Sequence, residues 1–279
     1  MTKHKKEECY YWPLWFSYIL PKSEQKYLAI ILPKIQTAQL FLWRALNIYD
    51  DLLDGDCQPN KKLLRANNYY RRFLTTHFEL KLSSEYYQLL NKLLSLWEIS
   101  NQREIRNRQQ SLSEQIKKLK NNKLSSTTLA DKSLILAAGP LALLFCLKYS
   151  HKDLVVRETL NFWRYFLSAK QLSDDSRDWE ADLKNSLITT ANAPVATQIN
   201  FKGNLFKEGG DLIINNAFIR QAAPKIISDL KNLTSQAEIT IKKINSDKSL
   251  LILEKLIKPI KEAAYKSENF LKISGIYLS

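Results

Sequence analysis

The stretch "NIYDDLLDGD", Asn47–Asp56, decides how the rest of the chain is read. It sets four carboxylates, Asp50, Asp51, Asp54 and Asp56, directly behind the mostly apolar run "AQLFLWRALNIY". On a helix the pairs Asp50/Asp54 and Asp51/Asp54 share a face, and each such like-charge pair costs roughly 0.2–0.5 kcal/mol unless a cation intervenes. A chain of net charge +14 has no shortage of cations, yet none stands among these acids.

A second segment repeats the pattern. In "QLSDDSRDWEADL", Gln171–Leu183, the residues Asp174, Asp175, Asp178 and Asp182 recur at helical spacing, and Arg177 neutralises only part of the cluster. Carboxylate oxygens are hard ligands suited to Mg²⁺, which takes one or two carboxylates and completes its shell with water and phosphate oxygens. Two acidic helices facing each other across a cavity would suit a diphosphate held through such ions.

The remainder of the chain favours helices throughout. Its 279 residues are 45% hydrophobic and include only six glycines and eight prolines, enough for a large core but poor in hairpin chemistry. The periodicity predicts helices over 25–53, 61–78, 84–120, 128–149, 152–183, 204–222, 223–244 and 249–273, with no sustained strand alternation. The expected architecture is all-α: one domain over 1–279, a bundle of antiparallel helices around a central apolar cavity, with 1–22 as an N-terminal lid or flexible segment. Within "LILAAGPLALLFCL", Leu134–Leu147, the pair Gly139-Pro140 predicts a break, and the run is too short for a membrane span.

Charge and cysteine usage narrow the class. The lysines are scattered and accompany no nucleic-acid-binding signature, so no nucleic acid partner is expected. Three cysteines, Cys9, Cys57 and Cys146, lack metal-ligand spacing and read as reduced thiols. The N-terminus carries Pro13 and no small-residue cleavage site, so a signal peptide is not expected; the expectation is a cytoplasmic protein with no stable membrane insertion.

On these motifs the chain resembles the class I isoprenoid synthase superfamily, whose all-α members carry an aspartate-rich motif on each of two facing helices. "DDLLD" (Asp50, Asp51, Asp54) is similar to the first motif and "DDSRD" (Asp174, Asp175, Asp178), preceded by Gln171, to the second. Lys132-Ser133, 174 − 132 = 42 residues before Asp174, resembles the family's Lys-Thr pair. The resemblance spans about Gln36 to Asp182; the last third of the chain carries no matching motif.

What the resemblance implies is Mg²⁺-dependent ionisation of an allylic prenyl diphosphate. The six aspartates would be catalytic and metal-binding, with roughly three Mg²⁺ ions present beside the substrate. Lys132, Ser133, Gln171 and Arg177 would contact substrate, and Ala45 and Leu46, a helical turn before Asp50, would set the depth of the prenyl pocket. Small Ala45 implies a chain of about fifteen to twenty carbons. A homodimer is among the expected assemblies.

The reaction type turns on what is missing. Chain-elongating relatives have a Gly-Lys-x-x-Arg element before the first motif and an Arg-Arg pair soon after it. Here only Lys61-Lys62 approximates the latter, and Arg71-Arg72 comes later. Many terpene cyclases replace the second aspartate motif with an Asn, Ser/Thr and Glu triad, which is also absent. The favoured expectation is a class I terpene synthase-like lyase; the alternative is a trans-prenyl diphosphate synthase using isopentenyl diphosphate. A non-enzymatic alternative is a helical interaction protein with an acidic stripe, which accounts for the charge but not for the paired spacing.

Several other side chains fall on the margin of this reading. Arg164, Lys170 and Lys184 are weaker phosphate candidates, and His77 and His151 read as packing or surface residues rather than a general base. The aromatics Trp43, Tyr49, Phe73, Trp97, Phe145, Phe162, Trp163 and Phe166 are expected mainly in the core, with a cation-stabilising ring face as the alternative role.

Overall fold

The computed structural model describes residues 8–55, 57–121, 126–198 and 210–273. Every regular element among them is helical, with no strand. The α-helices are α1 (Glu8–Ser17), α2 (Lys22–Leu53), α3 (Asn60–Glu79), α4 (Ser84–Arg108), α5 (Leu112–Asn121), α6 (Ala138–Cys146), α7 (Leu154–Lys184), α8 (Ala193–Gln198), α9 (Gly210–Ala217), α10 (Ala223–Ile244), α11 (Leu250–Ile252) and α12 (Lys258–Ile273). Two 3₁₀ segments, Ser126–Lys132 and Leu134–Ala137, precede α6, and π-helical turns occupy Phe218–Ala222 and Leu253–Ile257. None of the described helices is long and apolar enough to cross a membrane.

The chain forms two compact units. The first comprises Met1–Trp97, Ser133–Trp163 and Thr240–Leu253; the second comprises Glu98–Lys132, Arg164–Ile239 and Glu254–Ser279.

In the first unit, α2 packs along α3 and is crossed by α1 and α6. Helix α1 falls inside the segment expected as a lid, and it is packed rather than free: its Cys9, Trp12 and Phe16 are buried, as are Ile19 and Leu20 just after it. Its aromatic richness explains this, because Trp12 lies 5.0 Å from Trp163 and 6.5 Å from Trp43 between ring centroids. Phe73, Phe145, Phe162 and Trp163 are core residues, as expected from their chemistry.

The break anticipated at Gly139-Pro140 is real and starts earlier than a kink would. Instead of one helix over 128–149, 3₁₀ turns lead into α6, where Pro140 occupies the first turn and its missing N–H costs nothing. Fully buried Gln39 bridges the junction: its Nε2 donates to Leu136 O at 2.8 Å, and its Oε1 accepts from Gly139 N at 3.1 Å. Glycine is required there, since a Cβ would sit 2.5 Å from Gln39 Oε1 and 2.9 Å from Pro13 Cγ.

A second buried polar contact ties α3 and α4 to the same junction. Tyr86 Oη donates to Ala138 O at 3.3 Å and lies 2.6 Å from His77 Nδ1. With the Tyr86 hydrogen directed to the carbonyl, Nδ1 carries the proton that points to Oη, and Nε2 is left as a bare lone pair. Burial drives the His77 pKa down to about 3. His77 is thus a packing residue, consistent with its sequence reading.

Other helix boundaries differ from the periodicity. The helix expected over 84–120 divides at Gln109–Ser111, because Ser111 and Glu114 form a capping box: Ser111 N donates to Glu114 Oε2 at 2.9 Å and Glu114 N to Ser111 Oγ at 3.4 Å. The start of the helix expected over 204–222 lies outside the described residues, which resume at Gly210.

In the second unit, Ala169, Leu172, Trp179 and Leu183 of α7 pack with Val195, Ile214, Ile226, Leu230 and Leu233. Trp179 stacks on Phe218 with centroids 4.1 Å apart, at the π-helical turn. The turn after α7, where Ser186 has φ of 59°, is pinned by Gln115, which donates to Ser186 O at 2.7 Å and accepts from Ile188 N at 3.1 Å.

Two outcomes test this account. Gln39→Leu strands a buried N–H and a buried C=O, and is expected to cost about 2–4 kcal/mol in chemical denaturation; a loss under ~1 kcal/mol would refute the bridge. Because His77 stays neutral in the folded state, stability is complete above the ordinary histidine pKa of 6.5 and declines as pH falls toward about 3. That decline should reach at most ~1.4 kcal/mol per pH unit, and His77→Gln should flatten it.

Candidate metal and diphosphate site

The first acidic motif ends α2. Asp54 is the helix C-cap, its N–H bonded to Asp50 O at 2.9 Å, and Gly55 takes φ of 78°, the left-handed conformation that closes a helix. Asp50 is half-buried, Asp51 and Asp54 are exposed, and Asp56 lies outside the described residues. The last turn contains no basic residue. A helix C-terminus carries partial negative charge, so each carboxylate here is disfavoured by about 0.3–1 kcal/mol, and a bound cation would remove that cost. Nearby, Tyr49 donates to Asn67 Oδ1 at 2.6 Å and its ring lies 5.6 Å from that of Trp97. One turn earlier on α2, Ala45 is fully buried and Leu46 half-buried.

The second motif lies on α7 in the other unit. Asp174 is engaged by Lys170 at 3.4 Å and, more tightly, by Arg177. Asp175 accepts from Gln171 Nε2 at 2.7 Å. Asp178 is exposed. Burial pushes the Asp175 carboxyl up to about 6; Gln171 and Lys132 oppose the shift, and the negative charges of Asp182 and Glu104 add to it.

Glu104, on α4, is the residue that the motif reading missed. It accepts from Lys132 Nζ at 2.7 Å and from Arg108 Nη2 at 2.9 Å. Burial works against its ionisation, yet Lys132 and Arg108 hold its carboxyl below the usual range. Its signal in the sequence is slight: a single acid between Arg103, Arg106 and Arg108. Beside it, buried Asp131 accepts from Arg164 Nη1 at 3.0 Å. Lys132 is therefore anchored by a carboxylate, and Arg164 and Lys170 are likewise ion-paired.

The second unit accordingly gathers Lys132, Gln171, Asp174, Asp175 and Arg177 with Glu104. The first unit holds Asp50, Asp51, Asp54, Ala45, Leu46 and Ser133. Among the described residues no three His, Cys, Asp or Glu side chains converge closely enough to cage a metal ion. The donor chemistry nevertheless fits Mg²⁺, which relies on one or two carboxylates per ion and on substrate phosphates rather than on an all-protein cage. The electrostatics fit as well, since both acidic segments stand where an added cation relieves strain: a helix C-terminus in one, crowded carboxylates in the other. His151, 3.1 Å from Glu85 on the surface, takes no part.

The Glu104–Lys132 pair is open to a double-mutant cycle. Glu104→Ala leaves a half-buried ammonium without its carboxylate, for an expected loss of about 1–2 kcal/mol, and Glu104→Ala with Lys132→Ala should show a coupling of about 1 kcal/mol by denaturation. Additive losses would mean that the pair contributes no mutual stabilisation.

No protein-family model, curated protein or solved structure shows a significant match to the chain. The functional reading rests on the residues themselves.

Proposed function

We propose that the protein is a class I terpene synthase-like enzyme that ionises an allylic prenyl diphosphate of about fifteen to twenty carbons and cyclises or rearranges the product cation. The observation that carries this reading is the pair of DDxxD segments, one closing a helix whose last turn has no basic residue and the other holding a carboxyl lifted by burial and by neighbouring acids. The isoprenoid synthase type of bundle, with its central cavity, belongs to the same proposal. So do Mg²⁺ as cofactor and a cytoplasmic homodimer.

In this reading Asp50, Asp51 and Asp54 would hold metal, as would Asp174, Asp175 and Asp178. Mg²⁺, when bound, would supply Lewis acidity to the departing diphosphate. Gln171 fixes the Asp175 carboxylate by its hydrogen bond, and Glu104 holds the Lys132 ammonium by an ion pair at 2.7 Å. Lys132 and Arg177 would absorb charge that develops on the leaving oxygens. The allylic C–O bond breaks with its electron pair passing to diphosphate, the substrate's own distal double bond closes on the cation, and loss of a proton ends the reaction. Apolar side chains exclude water, which would otherwise capture the cation.

The choice of a cyclase over a chain-elongating enzyme follows from the sequence, where the elements that bind isopentenyl diphosphate are missing. Fully buried Ala45 adds a constraint: a phenylalanine there would overpack the first unit by about 1–3 kcal/mol as well as shorten any pocket it faces.

Mg²⁺-dependent diphosphate release from farnesyl or geranylgeranyl diphosphate tests the proposal. Asp50→Ala and Asp174→Ala should each lower turnover by a factor of at least about 100 while helical content is retained. Near-normal Mg²⁺-dependent release by both variants would overturn the site. Product analysis with and without isopentenyl diphosphate separates the cyclase from the prenyltransferase, and an interaction protein would release no diphosphate under any metal condition.

A further inference from the structure

Helices α2 and α3 enclose a surface groove of about 680 Å³ within the first unit. Its wall carries Lys34 from α2 and Arg71, Arg72 and Thr75 from α3, with Phe41 at its base and Glu79 at one end. Among the described residues Lys34, Arg71 and Arg72 form no ion pair, so all three charges face the groove without a carboxylate partner. Arg71 donates to Asn68 Oδ1 at 3.3 Å. Arg72 lies over the Phe41 ring, its Cζ 4.0 Å from the centroid, so packing restricts its guanidinium while leaving its N–H donors available. Phe41 is in turn stacked on Tyr69 at 6.1 Å, which makes the support rigid.

From this geometry we infer that the α2–α3 groove is a phosphate-binding site, taking a compact phosphate or diphosphate group, either free or as the headgroup of an anionic lipid. Two guanidinium forks, one ammonium and the Thr75 hydroxyl supply donors of the kind that phosphate oxygens require. Glu79, 79 − 72 = 7 residues beyond Arg72 and so about 10 Å further along α3, ends the positive stretch. A compact anion fits that length, and an extended polyanion such as a nucleic acid strand would meet the glutamate. The groove is distinct from the acidic end of α2, because Lys34 precedes Asp50 by 50 − 34 = 16 residues, about 24 Å of helix. It owes nothing to the proposed enzymatic reading.

Calorimetric titration of the full chain with inorganic diphosphate in EDTA, where metal-mediated binding is suppressed, tests the assignment. Saturable binding is expected, and the Lys34→Ala/Arg71→Ala double variant should weaken it by at least about tenfold. Both replaced side chains are exposed, so the fold should persist, as circular dichroism would verify. Co-sedimentation with phosphatidylcholine vesicles with and without phosphatidic acid distinguishes the sources. Capture by the acidic vesicles that the double variant loses assigns a lipid headgroup, and binding of diphosphate alone assigns a free phosphate. No saturable binding to either probe, binding indifferent to the double substitution, or a response only to a single-stranded oligonucleotide would overturn the inference. A parallel loss of Mg²⁺-dependent diphosphate release in the double variant would place these cations in the reacting site and overturn their separateness.

Discussion

The amide of Gln39 holds together the least regular part of the first unit. A chain that passes from 3₁₀ turns into α6 inside an apolar core must satisfy backbone groups that no continuous helix serves, and one side chain supplies both a donor to Leu136 O and an acceptor for Gly139 N. The rest follows from this requirement. Gly139 has to be glycine because the amide and Pro13 occupy the space of a Cβ, and α1 has to lie against the junction because Pro13 does. Tyr86 adds a second tie at Ala138, with His77 kept neutral behind it. Low dielectric makes each of these contacts strong when complete and costly when broken.

The same balance, run the other way, marks the acidic segments. The carboxylates that close α2 oppose the helix dipole, and Asp175 is burdened by its burial and by Asp182 and Glu104. Several charges of this protein are matched, as Lys132 with Glu104, Arg164 with Asp131 and Lys231 with Glu268 illustrate. Places where repulsion is tolerated are informative, because folding alone favours their removal. The α2–α3 groove is the complementary case, with positive charge left open where an anion can use it.

Much of the fold was legible in the chain. Apolar periodicity placed α2, α3 and α7 within a few residues, and the Gly139-Pro140 dipeptide marked a break that the structure contains. The capping box at Ser111 and Glu114 was equally visible in principle, but a continuous helical pattern on both sides concealed it. Helix α1 was hidden by Pro13, which reads as a helix breaker and is tolerated in a helix held by buried aromatics. The aspartates could be chosen from spacing alone. Glu104 could not, since its role depends on Lys132, which is remote in sequence and joined to it only by folding.

By itself, then, the sequence determined the helical class, the long helices and the identity of the two acidic motifs, because periodicity and like-charge spacing are local properties within a turn or two of the chain. Only the tertiary structure decided that Lys132 is anchored by Glu104, that Asp175 is lifted toward neutrality, that Gln39 bridges the break before α6 and that Lys34, Arg71 and Arg72 share an open groove. These depend on burial and on partners far apart along the chain. Dielectric environment and long-range pairing arise when the chain packs, and no local pattern carries them.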